Sequence, residues 1–210
     1  MKTWLTYGLF SKRLTTKFPF KAAEELPVWT TMPVSTGAGE AICPANAIQD
    51  TSVDMGMCIS CGYCSPAFEP DGNARTSIVH STEKAFRKSF HIYLFDAGSC
   101  GSCNLEVKAL VNPYYDMSRL GISFCATPKH ADALIVVGVL AEGMGEPLRR
   151  AVEALPSPRL VFAVGACAIS GGIIGKSISG VVETDVIVPG CPPNPFTILD
   201  ALQRSRGGKH

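Results

Sequence analysis

The chain has 210 residues, of which 46% are hydrophobic, and its 19 basic and 18 acidic residues leave a formal net charge of +1. This length allows two small domains or one large one, and the near-neutral charge argues against nucleic acid as a partner. Nine cysteines are many for this length. We find no signal peptide and no apolar run near the roughly 18 residues of a membrane span. We therefore expect a reducing cytoplasmic setting, where clustered cysteines favour metal over disulfides.

Residues 1–30 form the first of three predicted units. Trp4, Leu5, Leu9 and Phe10 fall along one side of a short helix, with basic residues nearby. An amphipathic helix of this kind is typical of a segment that rests on a membrane surface or on a membrane subunit. A terminus with little order, or a helix docked on a neighbouring part of the protein, would explain the same pattern.

Residues 31–85 contain a Cys-Pro pair at Cys43 and a Cys-x2-Cys-x2-Cys loop formed by Cys58, Cys61 and Cys64. Such a loop provides three ligands of an iron–sulfur cubane. In two-cluster ferredoxins, the cysteine of a Cys-Pro pair completes the cluster of the other motif. The spacing therefore predicts a single [4Fe–4S] cluster in a small α+β ferredoxin-like domain. A zinc knuckle is the alternative.

The second cluster of a two-cluster ferredoxin is not expected here. Pro33, Thr36 and Gly39 occupy the positions where a complete first motif would have cysteines. Phe68 occupies the position of the last cysteine of a complete second motif. All the ligands of one cluster are therefore present, whereas those needed to build the other are missing.

Residues 86–210 alternate between apolar runs and helical patterns, which is typical of a parallel sheet with helices on both faces. We therefore predict an α/β fold, a flavodoxin-like three-layer sandwich. The predicted strands are 91–95, 121–125, 133–139, 159–164 and 186–188, and the predicted helices are 105–111, 145–155 and 195–204.

Four cysteines follow strands of this predicted sheet. Cys100 and Cys103 lie on the turn between the first strand and the first helix, and Cys167 and Cys191 follow later strands, each close to a glycine. Ligands of doubly wound sheets bind at the carboxyl ends of the strands. A lone Cys-x2-Cys pair is ambiguous among zinc, a redox disulfide and an iron–sulfur cluster. With the two later cysteines, however, the pattern predicts one four-cysteine cluster site.

Three further residues near these strand ends have candidate roles. Asp96 is placed to accept backbone N–H bonds from the cysteine turn. Glu106 either relays protons to a partner or stabilises the first turn of its helix. Cys125 is interpreted as a buried structural thiol. No catalytic triad, zinc-protease or phosphate-loop motif occurs, so we predict no catalytic residue in this chain. A Cys-x2-Cys motif near each chain end, the pattern that would hold a catalytic metal, is also lacking, so we expect any catalytic metal on another chain.

Four segments carry a family resemblance: residues 100–106, 127–134, 165–167 and 189–193. In combination and in order they resemble the small-subunit family shared by complex I and the membrane-bound energy-converting [NiFe] hydrogenases. The resemblance implies that Cys100, Cys103, Cys167 and Cys191 bind the [4Fe–4S] cluster closest to the active site of a large partner subunit. The complex I member has two adjacent cysteines at the first position. This chain has Cys-Gly-Ser-Cys there, which favours the hydrogenases.

Residues 12–19, followed by the cysteine loop, resemble the two-cluster ferredoxin subunit of the same complexes. The resemblance thus implies a fusion of two electron-transfer subunits that carries two [4Fe–4S] clusters. Its implied partners are a large [NiFe] hydrogenase-type subunit and further ferredoxin-like and membrane subunits, on the cytoplasmic face of a membrane. A complex I-like assembly that reduces quinone or sulfur without nickel is the alternative, and a zinc-stabilised interaction module is a third hypothesis.

Overall fold

The computed structural model describes residue 18 and residues 31–36, 42–65, 67–74 and 77–207. Among residues 1–30 it therefore describes Phe18, and the predicted amphipathic helix around Trp4 and Phe10 lies outside the described residues. Within the described ranges, no helix combines the length and the hydropathy that crossing a bilayer requires.

Two antiparallel strand pairs precede the main sheet. Strands β1 (Thr31–Ser35) and β4 (Phe68–Ala74) pair with each other, and β2 (Ile48–Gln49) pairs with β3 (Ser52–Val53). The Cys58 loop lies between β3 and β4 in the chain. The assignment of residues 31–85 to a ferredoxin-like domain stays a prediction.

Six strands form the main sheet. They are β5 (Ile78–Val79), β6 (Phe90–Asp96), β7 (Ile122–Phe124), β8 (Ala133–Val137), β9 (Leu160–Val164) and β10 (Val186–Val188), in the spatial order β5-β10-β9-β8-β6-β7. Strands β6 to β10 are parallel, whereas β5 runs antiparallel on the edge of β10. Counted from β6, the order of the parallel strands is 2-1-3-4-5, which is the flavodoxin-like order. The predicted fold class is confirmed.

Four α-helices are found among the described residues: α1 (Ser102–Ala109), α2 (Gly145–Ala154), α3 (Ala166–Ser170) and α4 (Pro195–Ser205). The sequence predicted α1, α2 and α4 but missed α3, because five residues are too few to show a helical period. It also missed β5, which joins the sheet before the expected domain boundary at residue 85. Helix α4 begins at Pro195, and the side chain of Asn194 caps it by accepting a hydrogen bond of 2.8 Å from the Phe196 N–H.

The core has two layers, one on each face of the sheet. Along β8, Ile135 and Val137 pack into one layer, while Leu134 and Val136 pack into the other, and all four are fully buried. A strand that is covered on both faces is apolar at every position. The continuous hydrophobic run of this strand is therefore explained by its central place in the sheet.

Phe18 packs into this core although it belongs to the N-terminal segment. Its side chain is buried, and its ring centroid lies 6.1 Å from that of Phe196 on α4. The guanidinium of Arg119 donates a hydrogen bond of 2.6 Å from Nη2 to the Phe18 carbonyl. At this residue, the N-terminal segment is docked on the sheet domain of its own chain.

Candidate metal centres

Cys100 and Cys103 lie on a turn at the carboxyl end of β6. The strand ends at Asp96, and α1 begins at Ser102, so that Cys100 is exposed on the turn while Cys103 is buried in the first turn of the helix. The loop after β8 passes closely against this turn, since a Cβ on Gly138 would lie 2.5 Å from the backbone nitrogen of Ser99. This close crossing lies between β6 and β8, where the strand order reverses and where doubly wound sheets bind their ligands.

Asp96 holds the turn in shape. Its Oδ1 atom accepts hydrogen bonds from the backbone N–H groups of Gly98 and Ser99, at 2.9 and 2.7 Å. Its Oδ2 atom accepts from the Ser99 hydroxyl and from Nδ2 of Asn104, at 2.8 and 2.5 Å. The expectation that Asp96 accepts backbone bonds from the cysteine turn is confirmed. The contribution of Asn104 was not predicted, although an amide one residue after the second cysteine is a usable sequence signal.

Cys167 reaches the same edge of the sheet on the short helix α3. Gly165, just before this helix, donates from its N–H to the Val188 carbonyl at 2.9 Å, and Ala166 donates to the Gly190 carbonyl at 2.8 Å. These two bonds tie the start of α3 to the loop after β10, and Cys191 is on that loop. The carboxyl ends of β9 and β10 are therefore joined beside their cysteines.

Gly165 also brings this pair of strand ends to Cys103. A Cβ on Gly165 would lie 2.6 Å from Sγ of Cys103 and 3.5 Å from the Gly190 carbonyl oxygen. The residue has φ of 91°, which favours glycine. Only a residue without a side chain lets the backbone approach the sulfur so closely. The turn after β6 and the turns after β9 and β10 thus meet in space.

Cys100, Cys103, Cys167 and Cys191 are called the second cysteine group. Burial, followed by the charges of Cys191, Cys167 and Cys100, raises the pKa of Cys103 to about 12. Burial also raises the pKa of Cys167, with added contributions from Cys191 and Cys100. The hydrogen bond with the Ser102 hydroxyl, by contrast, lowers the pKa of Cys100. The four thiols are therefore close enough to repel one another as thiolates.

A positively charged group bound between the thiolates would offset this mutual repulsion. Cysteine thiols bind soft metals only after deprotonation to thiolates, and a bound metal compensates the negative charge of the thiolates. Four cysteine thiolates form the ligand set of a [4Fe–4S] cluster. The close approach of the Gly165 backbone to Sγ of Cys103 keeps the thiols of this group at the carboxyl edge of the sheet. The residues of the second cysteine group fit such a cluster.

Cys43, Cys58, Cys61 and Cys64 are called the first cysteine group. Burial raises the pKa of Cys64, and the charges of Cys58, Cys61 and Cys43 add to this shift against an opposing backbone hydrogen bond. The backbone N–H of Ala47 donates to Sγ of Cys43 at 3.3 Å. This is the type of amide-to-sulfur bond that tunes iron–sulfur ligands. The chemistry of this ligand set also fits a cluster.

A single metal ion is a different case. Among the described residues, no three His, Cys, Asp or Glu side chains are grouped so that they could hold one ion. A four-iron cluster makes other demands, since its four thiolates are spread around the cluster rather than gathered on a single atom.

Cys125 has other neighbours. Its sulfur contacts the carbonyl oxygens of Ile92 and Thr127, at 3.5 and 3.4 Å. Burial raises its pKa, and the charge of Asp132 contributes in the same direction. The thiol is half-buried and bonded to backbone, as a structural cysteine would be.

Burial also raises the pKa of Glu106, which follows the cysteine turn on α1.

Fold and site together define a flavodoxin-like protein with a four-cysteine edge on its parallel sheet. Residues 100–205 match the sequence profile of the family described as NADH ubiquinone oxidoreductase, 20 Kd subunit, which is half of the chain. The chain belongs to this family. The resemblance expected from the four sequence segments is confirmed.

Two curated relatives and one solved structure illustrate the range of this similarity. Formate hydrogenlyase subunit 7 of Escherichia coli strain K12 is 35% identical over 137 residues, which cover 62% of this chain and 54% of the relative. An NADH-quinone oxidoreductase subunit of Desulfovibrio desulfuricans is 40% identical over 107 residues, which cover 49% of this chain and 58% of the relative. The chain thus spans little more than half the length of these two relatives.

The solved structure is that of the membrane-bound sulfane sulfur reductase, an archaeal respiratory membrane complex. One of its chains superposes with a TM-score of 0.51 at 27% sequence identity, covering 59% of this chain and 71% of that chain. Both curated relatives are named as subunits. The family therefore supports an oxidoreductase role within a multi-subunit assembly, and partner subunits with it.

Proposed function

We propose that this chain is an electron-transfer subunit of a membrane-bound [NiFe] hydrogenase complex. Each cysteine group would hold one [4Fe–4S] cluster, and the catalytic nickel and iron would lie on a large partner subunit. When bound, such a cluster takes up and releases single electrons, with a potential that its protein surroundings set. The chain would relay electrons between a low-potential donor and the partner, in either direction.

One observation carries the proposal. The second cysteine group gathers at the carboxyl edge of the sheet from three separate strand ends, joined by the close contact between Gly165 and Sγ of Cys103. Cysteines kept for packing alone have no reason to lie within reach of one another's charge. Burial is the main cause of the raised pKa of Cys103, and the charges of the three other thiols add to it, which supports their assignment as one ligand set.

The residues around this edge have supporting roles. Asp96 accepts hydrogen bonds from the backbone N–H groups of Gly98 and Ser99, so the backbone that leads to Cys100 is held in shape before a cluster binds. Gly165 keeps the backbone close to Cys103 and leaves no side chain between the strand ends. A ligand set that is positioned in advance loses less entropy on binding.

The edge is flanked by exposed apolar side chains that suit a partner subunit. Leu105 follows the cysteine turn on α1 and is 70% exposed, and Ile173 and Ile174 follow α3 and are 58% and 62% exposed. Exposed apolar residues near a functional edge are typical of a protein–protein contact. The large subunit would cover this face, with further ferredoxin-like and membrane subunits elsewhere, at the cytoplasmic face of the membrane.

A second candidate is a complex I-like assembly whose partner lacks nickel and reduces a quinone or a sulfur compound. Two findings favour it. One relative is named as a subunit of an NADH-quinone oxidoreductase, and a structure with similar fold belongs to a sulfane sulfur reductase. The hydrogenase proposal is preferred because the first two cysteines are separated by Gly101 and Ser102 rather than adjacent.

The test is metal analysis of the complex purified anaerobically through a tag on this chain. The proposal expects nickel in amounts that match the large subunit. It also expects at least about eight iron and eight sulfide per copy of this chain, because its two clusters account for that many and the partner subunits add more iron. A complex that contains the iron but no nickel would establish the second candidate instead. Zinc in place of iron would refute both.

Three cysteine variants assign the clusters to their ligands. Cys64→Ala and Cys167→Ala should each remove one set of electron paramagnetic resonance signals, and the two sets should differ. Cys125→Ala is the matched control, because its sulfur contacts the backbone carbonyls of Ile92 and Thr127, and it should keep both signals. Loss of a signal in Cys125→Ala would contradict the ligand assignment.

A further inference from the structure

The two cysteine groups are linked by a contact between Gly56 and Ile169. Gly56 precedes Cys58 by one intervening residue, Met57, and Ile169 follows Cys167 by one intervening residue, Ala168. A Cβ on Gly56 would lie 3.1 Å from Cγ2 of Ile169. The backbone of the Cys58 loop therefore touches the helix of Cys167.

The loop side of this contact is rigidly tied to the first cysteine group. Oδ1 of Asp54 accepts a hydrogen bond of 2.8 Å from the Gly56 N–H. The Asp54 carbonyl accepts from the backbone N–H groups of Met57 and Cys58, at 3.2 and 3.0 Å, and the Asp54 N–H donates to the Ala47 carbonyl at 2.7 Å. A displacement of Gly56 would thus move Cys58 with it.

The helix side is equally fixed. The Ile169 N–H donates to the Gly165 carbonyl at 3.2 Å, and the Ser177 hydroxyl donates to the Ile169 carbonyl at 2.7 Å. The Ile169 side chain packs against the core layer that contains Leu148 and Val161. Ile169 therefore moves together with α3, the helix that also carries Cys167.

Glycine at position 56 is explained by this contact rather than by backbone geometry. Unlike Gly62 and Gly165, Gly56 does not have a positive φ. Its backbone conformation is therefore open to other residues, and what a side chain would meet is Ile169 and Oδ1 of Asp54, at 3.1 and 3.2 Å. A substitution here therefore tests these two contacts and not backbone strain, and a second substitution at Ile169 separates the two.

We infer that the contact between Gly56 and Ile169 holds the Cys58 loop against α3. This contact thereby sets the distance between the two cysteine groups. The inference rests on the proposed function, because the separation matters only when both groups hold clusters. The rate of electron tunnelling falls steeply with distance. A contact that keeps the two clusters at a short, fixed distance would therefore keep electron transfer between them fast. Gly56 and Ile169 are thus positioning residues.

The test is spin–spin interaction between the two reduced clusters in the anaerobically purified complex, measured by electron paramagnetic resonance. This interaction falls steeply with separation and does not depend on turnover. Gly56→Leu adds a side chain that meets Ile169 and pushes the Cys58 loop away from α3. It should therefore weaken the spin–spin interaction while iron content stays at the wild-type level. In the double variant Gly56→Leu/Ile169→Ala, the obstructing side chain is removed and the spin–spin interaction should recover.

Two further variants keep the outcome decisive. Gly180→Leu adds the same side chain at an exposed glycine with no heavy atom within 4 Å and no positive φ, and it should match the wild type. Ile169→Phe inserts a wedge from the helix side without altering the cysteine loop, and it decides the matter if Gly56→Leu loses iron. A wild-type interaction in the iron-retaining wedge variant would overturn the inference while leaving two clusters in place. A wild-type complex without two clusters would instead remove the proposed function.

Discussion

Gly165 lies so close to Cys103 that any Cβ at this position would stand 2.6 Å from its sulfur. The contact joins the turn after β6 to the start of α3, and with it two strand ends that are far apart in sequence. Because φ of Gly165 is 91°, a residue with a side chain would be strained here even without the sulfur.

Gly165→Ala should therefore destabilise the chain by about 2 kcal/mol or more, from backbone strain together with displacement of Cys103. The free energy of unfolding in urea measures this change. Gly180→Ala is the matched control, since Gly180 has open space around it and no positive φ. Equal stability of the two variants would show that the approach to Cys103 is not as close as described.

The stability of the chain should depend on pH through Asp96. Partial desolvation raises the pKa of this carboxyl, but hydrogen bonds from Gly98, Ser99 and Asn104 outweigh it, so the net pKa lies below its ordinary value. A lowered folded pKa means that the carboxylate stabilises the fold above the unfolded pKa of about 3.9. This contribution is lost as the pH falls through the folded pKa.

Asp96→Asn should accordingly be less stable than the wild type at neutral pH, and the difference should shrink as the pH falls below about 4. Urea unfolding of the cluster-free chain across a pH series measures it. Glu153→Gln makes the same chemical change at an exposed carboxyl on α2 and should leave the pH profile unchanged. A difference between Asp96→Asn and wild type that does not vary with pH would rule out the carboxylate as its cause.

The cysteines of the second group should differ in reactivity when no cluster is bound. Cys103 is 7% exposed and its pKa is raised to about 12, first by burial and then by the neighbouring thiols. Cys100 is exposed, and Ser102 lowers its pKa. At pH about 8, the thiolate fraction of Cys103 should therefore be far below that of Cys100.

Alkylation of the reduced, cluster-free chain, followed by peptide mass spectrometry, measures this difference. Cys100 should be modified first and Cys103 last within the second cysteine group. Modification of Cys103 at the rate of Cys100 would show that the helix α1 opens in the unloaded chain. Labelling in urea provides the control, since both thiols should then react alike.

Phe18 should contribute to stability as a core residue. Its side chain is 2% exposed and packs against Phe196. Phe18→Ala should cost about 3 to 5 kcal/mol through lost burial and the cavity that remains. Tyr114→Ala provides a graded comparison, because Tyr114 also contacts Phe196 but is half-exposed, and it should cost less. An unaltered unfolding free energy for Phe18→Ala would show that Phe18 does not pack into the core of the sheet domain.

Local patterns in the sequence predicted the alternation of strands and helices along the chain and the cysteines that are candidate ligands. The apolar run of β8 marked a strand buried on both faces, and the same alternation of strands and helices predicted the flavodoxin-like class. The spacing of Cys58, Cys61 and Cys64 and the position of Cys100 after a strand marked the candidate ligands. These features depend on neighbours along the chain, so the chain alone carries them.

Contacts between distant segments were decided only by the tertiary structure. The Gly56–Ile169 contact, the burial of Phe18 against Phe196 and the pairing of β5 with β10 each join residues that are far apart in sequence. No periodicity or motif encodes such pairs, because a side chain's partner across space depends on how the whole sheet and its helices pack. The amino-acid sequence therefore determined which residues could be ligands and which segments form the five parallel strands of the main sheet. The folded chain determined which strand ends meet, because that depends on the close packing of backbone at glycines such as Gly165.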